Sequence, residues 1–153
     1  MYEFRPIELG NTNIIEMANL LSEVFPETKK FTSEFLNWQY VDNPHGKVVG
    51  FNAYVDGDLV AHYATIPVLW KIHGELKKGL LSLNTATHKN HRGKKLFTQL
   101  AEKSYKLGKD LGYEFVIGVA NANSSPGFIK KLDFKLICPL DAYLSISSNQ
   151  QDL

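Results

Sequence analysis

Residues 83–97 read LNTATHKNHRGKKLF, a strand-like run that passes through a basic turn into the first turn of a helix. The first turn of any helix leaves backbone N–H groups without intrahelical acceptors, so several of them converge where this strand meets the helix. The positive end of the helix dipole lies at the same place. With the cationic side chains of Arg92, Lys94 and Lys95, these groups predict a site that binds a diphosphate without a metal.

The helix that follows this turn is long and amphipathic. Its apolar positions recur at helical spacing from Leu96 to Leu111, and Gly112 stands where a helix usually ends. The next apolar run, residues 115–120, is short and continuous, which is typical of a strand buried on both faces. A turn, a short helix over residues 127–132 and final strands at 134–137 and 142–146 complete this half of the prediction.

The first half of the chain predicts a strand, two helices and a meander. The strand covers residues 2–9, the first helix starts from a cap at 11–13 and stops at Pro26, and the second opens at Thr32 or Ser33. Strands are expected at the ranges 47–55, 59–72 and 76–87, because Asp-Gly and His-Gly turns separate these apolar runs. The long helix must join its flanking strands by a crossover, so the sheet is mixed and the fold class is α+β.

The composition fits one globular domain. The chain has 153 residues, of which 44% are hydrophobic and 22% charged, with a formal net charge of +1, and this suffices for one core. We expect a single domain over residues 1–147 and a flexible tail over 148–153. The small net charge argues against a nucleic-acid partner. No segment approaches the roughly 18 consecutive apolar residues of a membrane span, so no membrane partner is expected.

The cysteine and histidine residues limit which cellular compartment and which kinds of metal or disulfide site are possible. Cys138 is the one cysteine, so an intrachain disulfide is excluded and a reducing, cytoplasmic location fits best. The amino terminus lacks the basic start and apolar run of a signal peptide. His88 and His91 stand three residues apart, but no further ligand set accompanies them, so no metal site is expected.

The basic turn resembles the pyrophosphate-binding motif of the GNAT acetyltransferases, Gln/Arg-x-x-Gly-x-Gly/Ala. Arg92 stands at its first position, whereas Lys95 and Phe97 replace its glycine and its final small residue. The resemblance implies a GNAT-like mixed central sheet flanked by helices, with acetyl-CoA bound in a cleft between strands 4 and 5. The cofactor-binding residues that it implies in this region are Thr85, Ala86, Thr87, Arg92, Gly93, Lys94, Lys95, Leu96 and Phe97.

A second segment, residues 121–134, resembles the part of these enzymes that follows the fifth strand. There an asparagine contacts the cofactor and a short helix ends in Gly-Phe, which implies that Asn121, Asn123 and Ser124 also bind acetyl-CoA. Asp133-Phe134 replaces the usual Gly-Phe. Ile129 occupies the position of the tyrosine that often protonates the departing thiolate, so no general acid is assigned.

The general base stays open between several groups. Acetyl transfer to an amine needs a neutral nucleophile, a donor for the oxyanion and a proton acceptor. Residues 76–87 contain no carboxylate, which leaves His62, Tyr63, His88 or a water shared with Asn84 and Thr85. Unpaired backbone N–H groups around residues 83–86 would stabilise the oxyanion if this strand diverges from the next one.

The acceptor is expected to be a primary amine of a small molecule. In GNAT enzymes the first two helices and their loop shape the acceptor site, which implies Trp38, Tyr40 and Asn43 as substrate-binding residues. Aromatic residues at the spacing of Trp38 and Tyr40 are more often packing residues, and this alternative stays open. Asn43-Pro44-x-Gly46 resembles members that act in amino-sugar pathways. Alternatives are a non-catalytic acyl-CoA-binding or interaction module, or the N-terminal part of a larger acetyltransferase. Sequence does not fix the oligomeric state, and a homodimer is left open.

Overall fold

The computed structural model describes residues 1–119 and 125–140. The helices and strands formed by these residues are β1 (Glu3–Pro6), α1 (Asn11–Val24), α2 (Ser33–Tyr40), β2 (Val49–Val55), β3 (Asp58–Ile72), β4 (Glu75–Thr87), α3 (Leu96–Asp110), β5 (Phe115–Gly118) and α4 (Ser125–Lys131). A single 3₁₀ turn, Lys89–His91, lies between β4 and α3. The predicted order of elements is confirmed from β1 to α4.

The sheet is mixed, as predicted. Its strands lie in the order β1-β2-β3-β4-β5, antiparallel except for β4 and β5, which pair in parallel across the α3 crossover. Helices cover both faces of the sheet: α1 and α2 pack in one apolar cluster with Val48 and Ala64, and α3 packs in another with Ala53 and Val60. The α+β fold class is therefore confirmed.

Local sequence sets the helix ends. Helix α1 begins after the extended residue Gly10 and ends before Pro26, which cannot continue it. Helix α2 begins at the predicted cap, because the Thr32 hydroxyl accepts a hydrogen bond of 3.2 Å from the backbone N–H of Phe35. Helix α3 starts at Leu96, where the helical spacing begins, because Lys95 before it adopts a left-handed conformation (φ 60°).

Three expectations about the end of the chain have different outcomes. The strand predicted to be buried on both faces, β5, is only half-buried at Phe115, Val116 and Ile117, because no described helix packs extensively over it. Residues 134–137 do not form the predicted strand. The strand predicted at 142–146 and the tail predicted at 148–153 lie outside the described residues.

Candidate functional site

The candidate site begins at a bulge in β4. Strand β3 pairs His62 with Ala86 and Ala64 with Leu83, so two residues of β4, Asn84 and Thr85, lie opposite Tyr63 alone. Asn84 takes a left-handed backbone conformation with φ 48°, which asparagine tolerates better than most residues. A bulge bends its strand and re-aims its side chains. The pairing of β4 with β5 also ends here, at Ser82 and Gly118, just before the bulge.

A cleft of about 720 Å³ opens where the two strands part. Residues 81–85 of β4 form one wall, and Gly118 and Val119 lie at the end of β5 on the other side. The connection between α1 and α2, the start of α3 and the start of α4 complete the lining. The cleft thus lies between strands 4 and 5, as predicted, and Asn84 and Thr85 both line it.

The basic turn beside this cleft leaves its backbone donors unpaired. Within the described part of the chain, the backbone N–H groups of residues 93–97 make no hydrogen bond to a protein acceptor. Gly93, Lys94 and Lys95 are exposed, and Gly93 has a positive φ of 77° with open space around it. Arg92 is exposed too, and its Nε donates to the carbonyl of Thr87 at 3.3 Å. Free donors and cations therefore converge at the start of α3.

Phe97 connects this turn to the cleft. Its ring lies edge-on to Tyr63 and Phe128, with centroids 5.8 and 5.5 Å apart, and it lines the cleft. The neighbouring Leu96 is buried in the core instead. A phenyl ring thus occupies space that a glycine or alanine would leave open at the final motif position. Lys95, in contrast, adopts the left-handed backbone that a glycine would accept without strain.

The two candidate histidines already use both ring nitrogens. His62 is fully buried, and its Nδ1 and Nε2 lie 2.7 Å from Asn52 Oδ1 and 2.8 Å from Tyr40 Oη. Burial disfavours the charged ring and lowers the pKa of His62 to about 3. His88 Nε2 lies 3.0 Å from Glu23, while its Nδ1 accepts from the backbone of Asn90. Neither histidine lines the cleft.

Tyr63 is a buried hydrogen-bonding residue. Its hydroxyl lies 2.7 Å from the hydroxyl of Ser82 and 2.6 Å from that of Tyr105. Burial raises the pKa of both tyrosines. A neutral phenol is therefore the form that both residues keep at physiological pH.

The predicted acceptor residues lie away from this cleft. Trp38 is 63% exposed and packs on Phe35, with ring centroids 5.6 Å apart. Tyr40 is fully buried under the sheet, and Asn43 caps its own turn by accepting from the backbone N–H of His45. None of them lines the cleft, so their role in substrate binding stays a prediction. Ala86 is buried, and Asn121, Asn123 and Ser124 lie outside the described residues.

The family resemblance implied that the loop between the first two helices shapes the site, but sequence reasoning did not identify which of its residues do so. Glu27, Thr28 and Lys30 line the cleft, and among its described lining residues Glu27 is the one carboxylate. Glu27 is exposed and takes part in no ion pair with another described residue. Local sequence gives no signal for this role, because a Pro-Glu-Thr turn after a helix is ordinary loop composition.

Helix α4 closes the described part of the site. Its Phe128 is buried and lines the cleft, whereas Ile129 is 43% exposed. Asp133, at the position of the usual glycine, takes a left-handed backbone with φ 54°. The following N–H, of Phe134, donates to the carbonyl of Phe128. The substituted residue thus keeps the turn that a glycine would make.

Known families share this sequence pattern and this fold. A family model described as the acetyltransferase (GNAT) domain matches residues 4–137. No curated protein sequence matches the chain at a significant level. Among the described residues, no helix combines the length and apolar character needed to cross a membrane.

Solved structures share the fold at low sequence identity. A predicted acetyltransferase from Clostridium acetobutylicum, solved with acetyl-CoA, has a TM-score of 0.73 at 15% identity, covering 96% of both chains. The glucosamine-6-phosphate N-acetyltransferase of Arabidopsis thaliana has a TM-score of 0.68 at 14% identity, covering 95% of this chain and 99% of its own. An aminoglycoside acetyltransferase from an uncultured soil metagenomic sample gives 0.68 at 19% identity, with the same coverage. At such identities the likeness shows the fold alone.

Proposed function

The chain belongs to the GNAT acetyltransferase domain family, and from this premise we propose that it transfers the acetyl group of acetyl-CoA to a primary amine of a small molecule, with an amino sugar as the leading acceptor class. Family membership makes it an acyltransferase and acetyl-CoA its cofactor. The acceptor, the direct attack and the residues that perform it are the proposal.

The observation that carries the proposal is the set of unpaired N–H groups at residues 93–97. They stand at the positive end of a 15-residue helix and beside three exposed cations, Arg92, Lys94 and Lys95. A diphosphate satisfies such donors without a metal. Because Phe97 lines both this turn and the cleft, a diphosphate held here would direct the rest of acetyl-CoA into the gap between β4 and β5.

The free edge of β4 supports the chemical step. Among the described residues, no strand pairs with residues 83–87 on the side of β5, so backbone N–H groups there can donate to the thioester oxygen as negative charge develops on it. The amine nitrogen attacks the thioester carbon, the C–S bond breaks, and the thiolate of CoA leaves. An acceptor that arrives as an ammonium ion loses one proton before the attack, and its nitrogen loses a second proton as the amide forms.

For these protons we retain one of the sequence-based candidates, a water in the cleft, over the three side chains. His62 and His88 are hydrogen-bonded to groups that do not line the cleft, and the Tyr63 hydroxyl is already bonded to Ser82 and Tyr105. The proton acceptor that we propose is water in the cleft, next to the Glu27 carboxylate. Since Ile129 carries no proton donor and a thiolate is a good leaving group, solvent rather than a side chain protonates the departing sulfur.

Charge supports a cationic acceptor. Glu27 and Lys30 both line the cleft, and of the two it is the Glu27 carboxylate that can pair with an ammonium group. Two neighbours of the same fold are described as acting on glucosamine-6-phosphate and on aminoglycosides, which are amino sugars. We therefore rank amino sugars above polyamines and amino-acid amines.

The test has two arms. In the first, the melting temperature is measured against acetyl-CoA concentration; a saturable increase is expected, because a ligand that binds only the folded state stabilises it. In the second, thiol release from acetyl-CoA is followed with glucosamine, glucosamine-6-phosphate, kanamycin, spermidine and lysine. Release with an amino sugar supports the proposal. Stabilisation without release from any amine would indicate a binding module, and no stabilisation would refute acetyl-CoA binding itself.

A further inference from the structure

A continuous chain of hydrogen bonds runs beneath the sheet and ends at the cleft. It links Tyr54, Asn52, His62, Tyr40 and Asn84, with distances of 3.3, 2.7, 2.8 and 3.0 Å between successive polar atoms. Asn52, His62 and Tyr40 are at most 1% exposed. Among the described residues, no buried side-chain nitrogen or oxygen lacks a partner. The direction of each bond can therefore be assigned from the groups at the two ends.

The Asn52 end fixes one ring nitrogen of His62. Asn52 uses its amide nitrogen to donate to the Tyr54 hydroxyl, so its oxygen faces His62 Nδ1. A carbonyl oxygen only accepts, which requires a proton on Nδ1. Full burial keeps the ring neutral, so Nε2 carries no proton and accepts from the hydroxyl of Tyr40.

The Asn84 end gives the same answer independently. Asn84 Nδ2 donates to the Tyr40 hydroxyl oxygen at 3.0 Å, so Tyr40 must direct its own proton elsewhere. The polar atom within reach is His62 Nε2, at 2.8 Å. Both ends therefore require the neutral His62 tautomer with its proton on Nδ1.

The direction of these hydrogen bonds decides which polar atom of Asn84 is left to face the cleft. Its Nδ2 has two hydrogens, and both are engaged, by Tyr40 and by Gln39 Oε1 at 2.6 Å. Neither partner lines the cleft, whereas Asn84 does. The remaining polar atom of this side chain is its carbonyl oxygen, which has no partner among the described residues. A group that can only accept a hydrogen bond is thus held at the cleft wall, on the bulge.

We propose that the Asn84 carbonyl oxygen accepts a hydrogen bond from the acceptor amine, and that the Asn52–His62–Tyr40 chain is a positioning device that keeps this oxygen turned to the cleft. The inference rests on the proposed function. A neutral amine has N–H donors and one lone pair. Holding an N–H against Asn84 aims the lone pair at the thioester carbon, and no proton passes to Asn84.

The first experiment determines the direction of the hydrogen-bond chain and needs no substrate. Long-range ¹H–¹⁵N NMR on the histidine-labelled protein distinguishes a proton on Nδ1 from one on Nε2; we expect His62 in the Nδ1–H form. In Asn84→Asp the carboxylate can only accept, so Tyr40 must donate to it. The chain is then expected to reverse as a whole: the His62 proton moves to Nε2, and Asn52 turns its amide so that its nitrogen donates to Nδ1. Detecting Nε2–H in the wild-type protein, or an unchanged tautomer in the variant, overturns the proposal.

The second experiment reads catalysis with the best amine of the acceptor panel. Tyr40→Phe removes the central link, and Asn84→Gly removes the carboxamide while tolerating φ 48°. Each is expected to lower kcat/KM for the amine about tenfold, the effect of one hydrogen bond, with the KM for acetyl-CoA unchanged. The matched control is Tyr105→Phe, which removes a partly buried hydroxyl that bonds to Tyr63 and has no link to Asn84.

The outcomes separate the two proposals. If Tyr105→Phe lowers kcat/KM for the amine as much as Tyr40→Phe does, or if Tyr40→Phe raises the KM for acetyl-CoA, Tyr40 has a merely structural role and the inference is contradicted. If Tyr40→Phe fails to fold, Asn84→Gly decides the kinetic question. If the wild-type protein acetylates no amine of the panel, the proposed function fails, while the His62 tautomer still tests the direction of the chain.

Discussion

The two halves of β4 show how one strand combines stability with function. Residues 79–82 pair with β3 on one side and β5 on the other, and Leu80 is 1% exposed. Residues 83–87 keep only β3 among the described residues, and the bulge at Asn84 separates the two halves. Strand pairing and apolar packing stabilise the first half. In the second half, the Asn84 side chain is hydrogen-bonded to the buried polar chain that runs through Tyr40 and His62.

This difference teaches where a site can form in such a sheet. Fully paired backbone has no donors left for a ligand, while a strand that loses one neighbour keeps a row of free N–H groups. Free groups reduce stability, so a strongly paired segment next to them compensates. Four predictions break or sharpen this comparison, in order of decreasing effect.

Leu80→Ala should cause the largest loss of stability. Its side chain fills the space beside Gly108 of α3, and removing it from the core should cost about 3 kcal/mol of the free energy of unfolding. Leu83→Ala, in the half-buried second half, should cost about 1 kcal/mol, because less apolar surface is lost. Urea denaturation measures both. Equal losses would mean that the two halves are equally packed.

Arg92→Glu should reduce binding rather than stability. Reversing this charge beside the free N–H groups should weaken acetyl-CoA binding about 30-fold, or about 2 kcal/mol. Isothermal titration calorimetry measures the Kd. The control, Lys106→Glu, makes the same charge change on an exposed position further along α3. An affinity unchanged by Arg92→Glu would show that the diphosphate site lies elsewhere.

His62 should make the second half of β4 sensitive to acid. The pKa of His62 falls from an ordinary 6.5 to about 3 in the folded protein, so between these values the unfolded chain binds a proton that the folded chain does not. His62 therefore does not lower the free energy of unfolding above pH 6.5. Below pH 6.5 the free energy of unfolding falls by about 1.4 kcal/mol per pH unit.

Urea denaturation at pH 7, 6 and 5 measures this slope. His62→Gln keeps an amide in place of the ring and cannot titrate, so its stability should fall less steeply than that of the wild-type protein over the same range. Parallel curves would mean that His62 is protonated in the folded state, against its burial.

Lys95→Gly should give the smallest effect, a gain in stability. A left-handed backbone at a non-glycine residue costs about 1 kcal/mol, which glycine relieves. Lys94→Gly removes the same charge from a neighbour whose φ is not positive, so it should give no gain. Thermal unfolding compares the two. A gain in both variants would point to charge repulsion in the turn instead of backbone strain.

Much of the fold follows from local patterns. Helical spacing from Leu96 to Leu111, the Thr32 cap and the Asp-Gly hairpin each specify their own element, because a cap or a turn depends on a few neighbouring residues. The burial of β5 was predicted incorrectly, since burial depends on what packs over a strand. A run of apolar residues shows only that a strand is compatible with being covered.

The candidate site also has features that follow from the local sequence and features that depend on tertiary contacts. The sequence by itself determined the turn that we propose binds the diphosphate, because its cations and free amides are adjacent in the chain, and it determined the substitutions at Lys95, Phe97 and Ile129. Only the tertiary structure decided that Glu27 lines the cleft, that the rings of His62 and His88 are already engaged, and that Asn84 can offer only an acceptor. These depend on contacts between distant strands and helices, where polar groups find partners only after the chain has packed.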